Sequence, residues 1–162
     1  MDAVEQAVEA IFRVFQAEHW ARFSYAVERD GAVFLDIPED ALAAVETDDA
    51  ALAGFLRGLD GKPVDAETSK RAIGEHVFRT MEGVFPPDTV VQAFDSQAFG
   101  LTMQLFAAWV GGHEKLLDLE VLPLAEWQRM FAAWRQDPSV VRFAASLAAG
   151  EKPEPPADGT EH

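Results

Sequence analysis

The sequence predicts an all-α fold, with six to seven helices packed as a bundle or orthogonally into a single domain. Three observations carry that expectation. Apolar residues recur at three- and four-residue spacing along most of the chain. The interruptions hold glycine, proline and acids of the kind that cap helices. Only one short stretch, residues 32–36 (AVFLD), reads as extended.

The longest run of core-forming residues is 99–112 (FGLTMQLFAAWVGG), and its uncharged character reaches back to Ser96. Val91, Phe94, Ala98, Leu101, Leu105 and Ala108 share one face at helical spacing, and Phe106 and Trp109 widen it. A helix apolar nearly all round is buried by neighbours on several sides, so this run is expected to be the central helix. Asp88 after Pro86-Pro87 is placed to cap its start, and Gly111-Gly112 to end it. Gly100 marks either a close approach by another helix or a break near Asp95-Ser96. The run is shorter than the about 20 apolar residues of a membrane span. It also carries Ser96, Gln97, Thr102 and Gln104.

Residues 2–29 read as one long amphipathic helix. Its face is Val4, Val8, Ile11, Phe15, His19, Phe23 and Val27, broadened by Phe12 and Trp20. Asp30-Gly31 ends it. The extended stretch 32–36 has no evident partner, which leaves a connector or pairing with a second copy across a dimer. Asp36 and Glu39 have the spacing of a capping box for a helix to about Val45. Thr47 ahead of Asp48-Asp49 restarts a helix that buries Leu52, Phe55, Leu56 and Leu59, with Gly58 and Gly61 as its end. Asp65 opens the next helix, to about Val84, with Ile73, Val77 and Met81 as its stripe. Residues 113–120 form a helical turn or connector. Pro123 starts a helix to about Gln136, and Asp137-Pro138 caps a last one ending at Gly150. The globular domain is thus expected over 1–150. Residues 151–162 (EKPEPPADGTEH) have nothing to bury and are expected to be a disordered acidic tail.

Composition narrows the function. The net charge of −15 repels phosphates and anionic lipid headgroups, so neither nucleic acid nor membrane is an expected partner. The absence of cysteine excludes disulfides, thiolate catalysis and cysteine-ligated metal. The N-terminus lacks a basic segment followed by an apolar one, and a cytoplasmic location is expected.

Three of the four histidines adjoin a glutamate: Glu18-His19, Glu75-His76 and His113-Glu114. Helical di-iron sites use Glu-x-x-His, which puts both ligands on one side. Adjacent residues diverge by about 100° on a helix, so both members of a pair cannot face one metal. No metal or other cofactor is expected. Acid–base chemistry at His76 or His113 stays open in principle. None of the five serines lies in a Gly-x-Ser-x-Gly elbow, and no phosphate-binding or dinucleotide glycine motif is present. Asp36, Glu39, Asp40, Glu46, Asp48 and Asp49 form a run with six acids and no base. It reads as a solvated face with two helix starts, or as a docking patch for a basic partner. Trp127, Phe131 and Trp134 share one face, which is either core or an interaction surface. The expected function is a non-enzymatic accessory or protein-interaction module whose partner is another protein or a second copy of this chain (a homodimer). A helical metal-binding protein or enzyme using the His/Glu pairs is the alternative. An acidic mimic of nucleic acid is a third, disfavoured by how evenly the charge is spread.

Overall fold

In the computed structural model the chain is described over residues 2–119 and 121–150, with the side chains of 113–119 excepted. Its elements are α1 (Ala3–Tyr25), β1 (Ala26–Arg29), β2 (Ala32–Leu35), α2 (Glu39–Asp48), α3 (Ala50–Leu59), α4 (Ala66–Met81), α5 (Thr89–Asp95), α6 (Gln97–Leu119), α7 (Leu124–Arg135) and α8 (Pro138–Ala148). The class is therefore all-α, with one short two-stranded sheet whose second strand falls where the sequence placed its extended segment. No helix among the described residues is long and apolar enough to cross a membrane. The expected tail, 151–162, lies outside the described residues.

The hub is α1, not the 99–112 run. Asp2 and Glu5 close a reciprocal capping box at its start, with Glu5 N–H donating to Asp2 at 2.8 Å. Behind that cap, Ala7, Ile11, Phe12, Val14, Ala17, Trp20 and Ala21 are buried. Small and large residues alternate around the helix, so α3, α4, α5, α6 and α7 all pack on it. By contrast, α6 exposes Gly100, Gln104, Ala107, Gly111 and Gly112 and is buried on one side only.

The 88–112 stretch is two helices. Ser96 has extended backbone between α5 and α6. Its hydroxyl donates to the Ala93 carbonyl at 2.7 Å and accepts from Phe99 N–H at 3.1 Å. Asp88 precedes α5 with φ +71° and no side-chain cap. Gly111-Gly112 does not stop α6. Neither glycine has positive φ, and the good helix formers Glu114, Lys115, Leu116 and Leu117 follow without a proline.

The first helix is also shorter than expected. Residues 26–29 leave it and pair with 32–35 in antiparallel register, Val27 opposite Phe34. Asp30 (φ +52°) and Gly31 (φ +80°) make the tight turn. The partner of the extended stretch thus lies in the same chain rather than in a second copy. On its other edge β2 accepts from Val64 N–H at Val33, 2.8 Å, and from Gly61 N–H at Leu35, 2.9 Å. This ties the hairpin to the entry of α4. Asp36 faces Arg29 across the hairpin at 3.5 Å. It caps nothing, because Pro38 takes the cap position of α2 without a side-chain bond. The restart before α3 is Asp49, which accepts from Leu52 N–H at 3.1 Å, while Thr47 bonds back into α2 at Ala43. Asp65 and Asp137 cap α4 and α8 as expected, accepting from Thr68 and Ser139 N–H at 2.7 and 2.8 Å.

The core is aromatic. Phe106 of α6 meets Phe12 edge-on at 4.9 Å and Phe131 at 5.3 Å, and Trp109 meets Trp127 at 4.9 Å. Edge-to-face pairs of this kind add to the burial of their area.

Candidate functional site

Positions 15, 18, 19 and 22 of α1 share a face by helical spacing. They are Phe15, Glu18, His19 and Arg22, and α4 lies opposite with Ala66, Ser69, Lys70, Ile73 and Gly74. The small residues of α4 cannot fill the space that the aromatic rings of α5 and α6 hold open. The result is a half-open cleft of about 390 Å³, with Phe94, Phe99 and Met103 as its far wall. That volume falls in the range of small-molecule sites, about 300–1,000 Å³.

Its polar end is Glu18, which is 1 % exposed. Oε1 accepts from Arg22 Nε at 3.0 Å and from Arg22 Nη2. Oε2 has no hydrogen-bond partner among the described residues and lies 3.9 Å from His19 Nε2, beyond hydrogen-bond reach. His19 Nδ1 is likewise buried without a partner. Burial pushes the His19 imidazole below its ordinary value and Arg22 adds to this, while the Glu18 carboxylate opposes it. The ring sits edge-on to Phe106 at 5.0 Å. The end of the cleft therefore combines an ion pair, a buried carboxylate oxygen without a donor among the described residues, and an imidazole biased to neutral.

The other predicted residues lie elsewhere. His76 is on α4 against Phe55, ring centroids 4.9 Å apart, in a separate groove where Glu75 is exposed. The side chains of His113 and Glu114 lie outside the described residues. No group of three potential metal ligands occurs among the described residues. Trp127 and Phe131 are buried in the core, and Trp134 is half-buried against Phe131 at 5.9 Å. Arg22, Ile73, Phe99 and Met103 were not among the site residues expected from the sequence, where Ile73 and Phe99 were read only as core-forming positions. The available signal was Glu18-x-x-x-Arg22, an i,i+4 ion-pair spacing set into an otherwise apolar face.

The acidic run finds bases from other parts of the chain. Glu39 and Glu46 meet Arg57 at 2.8 and 3.6 Å, Asp49 meets Arg13 at 3.3 Å, and Asp36 meets Arg29. Asp40 and Asp48 line a second cleft of about 310 Å³ floored by Trp20, Val45 and Leu52.

His76, like His19, is held below its ordinary value, first by burial and then by Arg79, with Asp49 opposing. Both side chains take up protons on unfolding once pH falls below about 6.5. Stability present above that pH is therefore lost on acidification, by at most about 1.4 kcal/mol per pH unit for each proton. Glu39, Asp65, Glu126 and Asp137 are held low by bonds from Arg57, Thr68, Arg129 and Ser139. They add losses of the same sign below about pH 4.5. Thermal denaturation should show the midpoint falling from pH 7 to 5, and a flatter profile in the His19→Gln/His76→Gln double variant. A midpoint constant over that range would contradict the buried neutral histidines.

No protein-family model, curated protein or solved structure matches this chain.

Proposed function

We propose that this protein is a non-enzymatic accessory module that works by holding a ligand in the cleft between α1, α4, α5 and α6. One observation carries the reading: an apolar cleft of about 390 Å³ has at its end a buried carboxylate whose Oε2 lacks a donor among the described residues. An unsatisfied buried acceptor costs about 1–3 kcal/mol, more when charged. A ligand whose binding shifts the cleft wall enough to reach Oε2 would recover that cost. Catalysis has less support. Glu18 is committed to Arg22, and neither Glu75 nor His76 lines this cleft. The accessory role implies a second macromolecule, another protein or a second copy. The exposed Phe78, Val84 and Val91 at the α4–α5 corner are suited to that contact.

Native mass spectrometry of the protein from its source cell, with a thermal-shift screen of small molecules, tests the reading. A bound ligand is expected whose stabilising effect disappears in Met103→Trp, which fills the cleft. The same spectra would show a complex with a protein or a dimer. If no compound raises the midpoint, or if Met103→Trp leaves binding intact, the cleft is not the working site.

A further inference from the structure

Resting on the cleft of that reading, though not on Glu18 Oε2, we propose that it takes a single-chain carboxylate, its head between Arg22 and Lys70 and its alkyl chain along Phe15, Phe99 and Met103. Accessibility decides the charge of the occupant. Four groups on the lining can carry a charge: Glu18, His19, Arg22 and Lys70. The Glu18 side chain is 2 % exposed, so an occupant does not reach its carboxylate. Burial holds the His19 imidazole toward neutral. The Arg22 side chain is 34 % exposed, and Lys70 is exposed. The charge that an occupant meets is therefore cationic. The net charge of −15 opposes an anion at a distance, but salt screens it beyond about 8 Å.

The balance of charges selects a single anionic group. Glu18 neutralises Arg22, whose Nε and Nη2 donate to Oε1 and whose Nη1 bonds to no described residue. Lys70 pairs with no acid among the described residues. The acids beside it in sequence are engaged: Asp65 accepts from Thr68, and Glu67 meets Arg71 at 3.2 Å. One positive charge is left over, which matches a carboxylate and not a dianion. The fold sets this charge at one end. Arg22 is in the last turn of α1, and Lys70 is in the second turn of α4. The hairpin that follows α1 is bonded to residues 61–64, which lead into α4, so both cations stand at the hairpin end. Two turns further back along α1, Phe15 meets Phe99 at 6.1 Å, and Phe99 meets Phe94 at 5.1 Å. Two turns span about 11 Å. An extended chain of about eight carbons, each advancing about 1.3 Å, covers that length.

Calorimetry on the full protein compares octanoate with 1-octanol, octylammonium and hexanoate. Octanoate should bind at least about tenfold more tightly than octanol or octylammonium, the scale of one hydrogen bond to a charged group. Hexanoate should be weaker than octanoate by about fifteenfold, for two methylenes left unburied. Lys70→Glu, a change at an exposed position, should cost octanoate at least about tenfold and leave octanol unchanged. A preference for octanoate below tenfold, octylammonium binding best, or full octanoate affinity in Lys70→Glu overturns the carboxylate assignment. If octanol still binds and loses its affinity in Met103→Trp, the cleft reading survives that failure. If no probe binds, the carboxylate assignment falls, and the compound screen with Met103→Trp decides the cleft reading separately.

Discussion

Replacing Phe106 with alanine is expected to cost about 3–5 kcal/mol of stability. The ring is 1 % exposed and touches aromatic partners on two other helices and its own: Phe12 on α1, Trp127 and Phe131 on α7, and Trp109 one turn along α6, with His19 of α1 also against it. Few of those neighbours can move inward, because each is held by the others. A domain of this size is typically stable by about 5–15 kcal/mol, so one truncation removes a large share. The thermal midpoint should fall by roughly 10 °C, taking about 2–4 °C per kcal/mol for a chain of this length. Phe78→Ala is the control. That ring is 46 % exposed, and its loss should matter far less. Urea titration of both variants decides the point. A Phe106→Ala loss below about 1 kcal/mol would mean that the aromatic cluster is not the core.

Arg22→Met should be nearly as damaging, for an electrostatic reason. The methionine keeps the apolar stem but leaves the Glu18 carboxylate, 2 % exposed at its side chain, without its one strong donor among the described residues. Breaking a buried pair from one side costs about 3–5 kcal/mol, because the stranded charge remains buried. Removing both charges together in Glu18→Leu/Arg22→Met should restore most of that loss. A double-mutant cycle measured by urea denaturation gives the coupling directly. If the single variant is as stable as the parent, the carboxylate has found water or taken up a proton, and the cleft is wetter than its geometry implies. Arg22 is 34 % exposed, so the opposite single change, Glu18→Leu, should cost less; its guanidinium can turn to solvent.

The helical class was legible because periodicity and caps agree over most of the chain. Asp65, and Asp137 with Pro138, show caps acting where spacing placed them. The misread elements have a common cause: local patterns compatible with two structures. Phe23 and Val27 fit a helical stripe, yet Val27 also fits an alternating strand, and the Asp30-Gly31 turn decides for the strand. Ser96 is an ordinary helix residue until its hydroxyl finds the Ala93 carbonyl. The choice of hub was not readable at all. Apolar density favoured 99–112, whereas centrality depends on the alanines of α1, which admit neighbours by being small. The site was half legible. Glu18 and His19 stood out as a pair, but the sequence weighed them as metal ligands with Glu75, His76, His113 and Glu114. What makes them noteworthy is the cleft opposite, and that depends on Ala66, Ser69 and Gly74 of a helix about fifty positions away.

The central place of α1 sets the order in which the chain can close. Glu9 on α1 pairs with Arg135, 126 positions away, and the Trp20 indole donates to the Leu122 carbonyl, 102 positions away. Contacts of that span carry a large loop-closure entropy before they return any stabilisation. The hairpin and its bonds to residues 61–64 need far shorter loops. Refolding should therefore begin with α1, the hairpin and α2–α4 as a loosely formed half. The arrival of α7 should set the rate, leaving the aromatic face of α1 open to wrong partners until then.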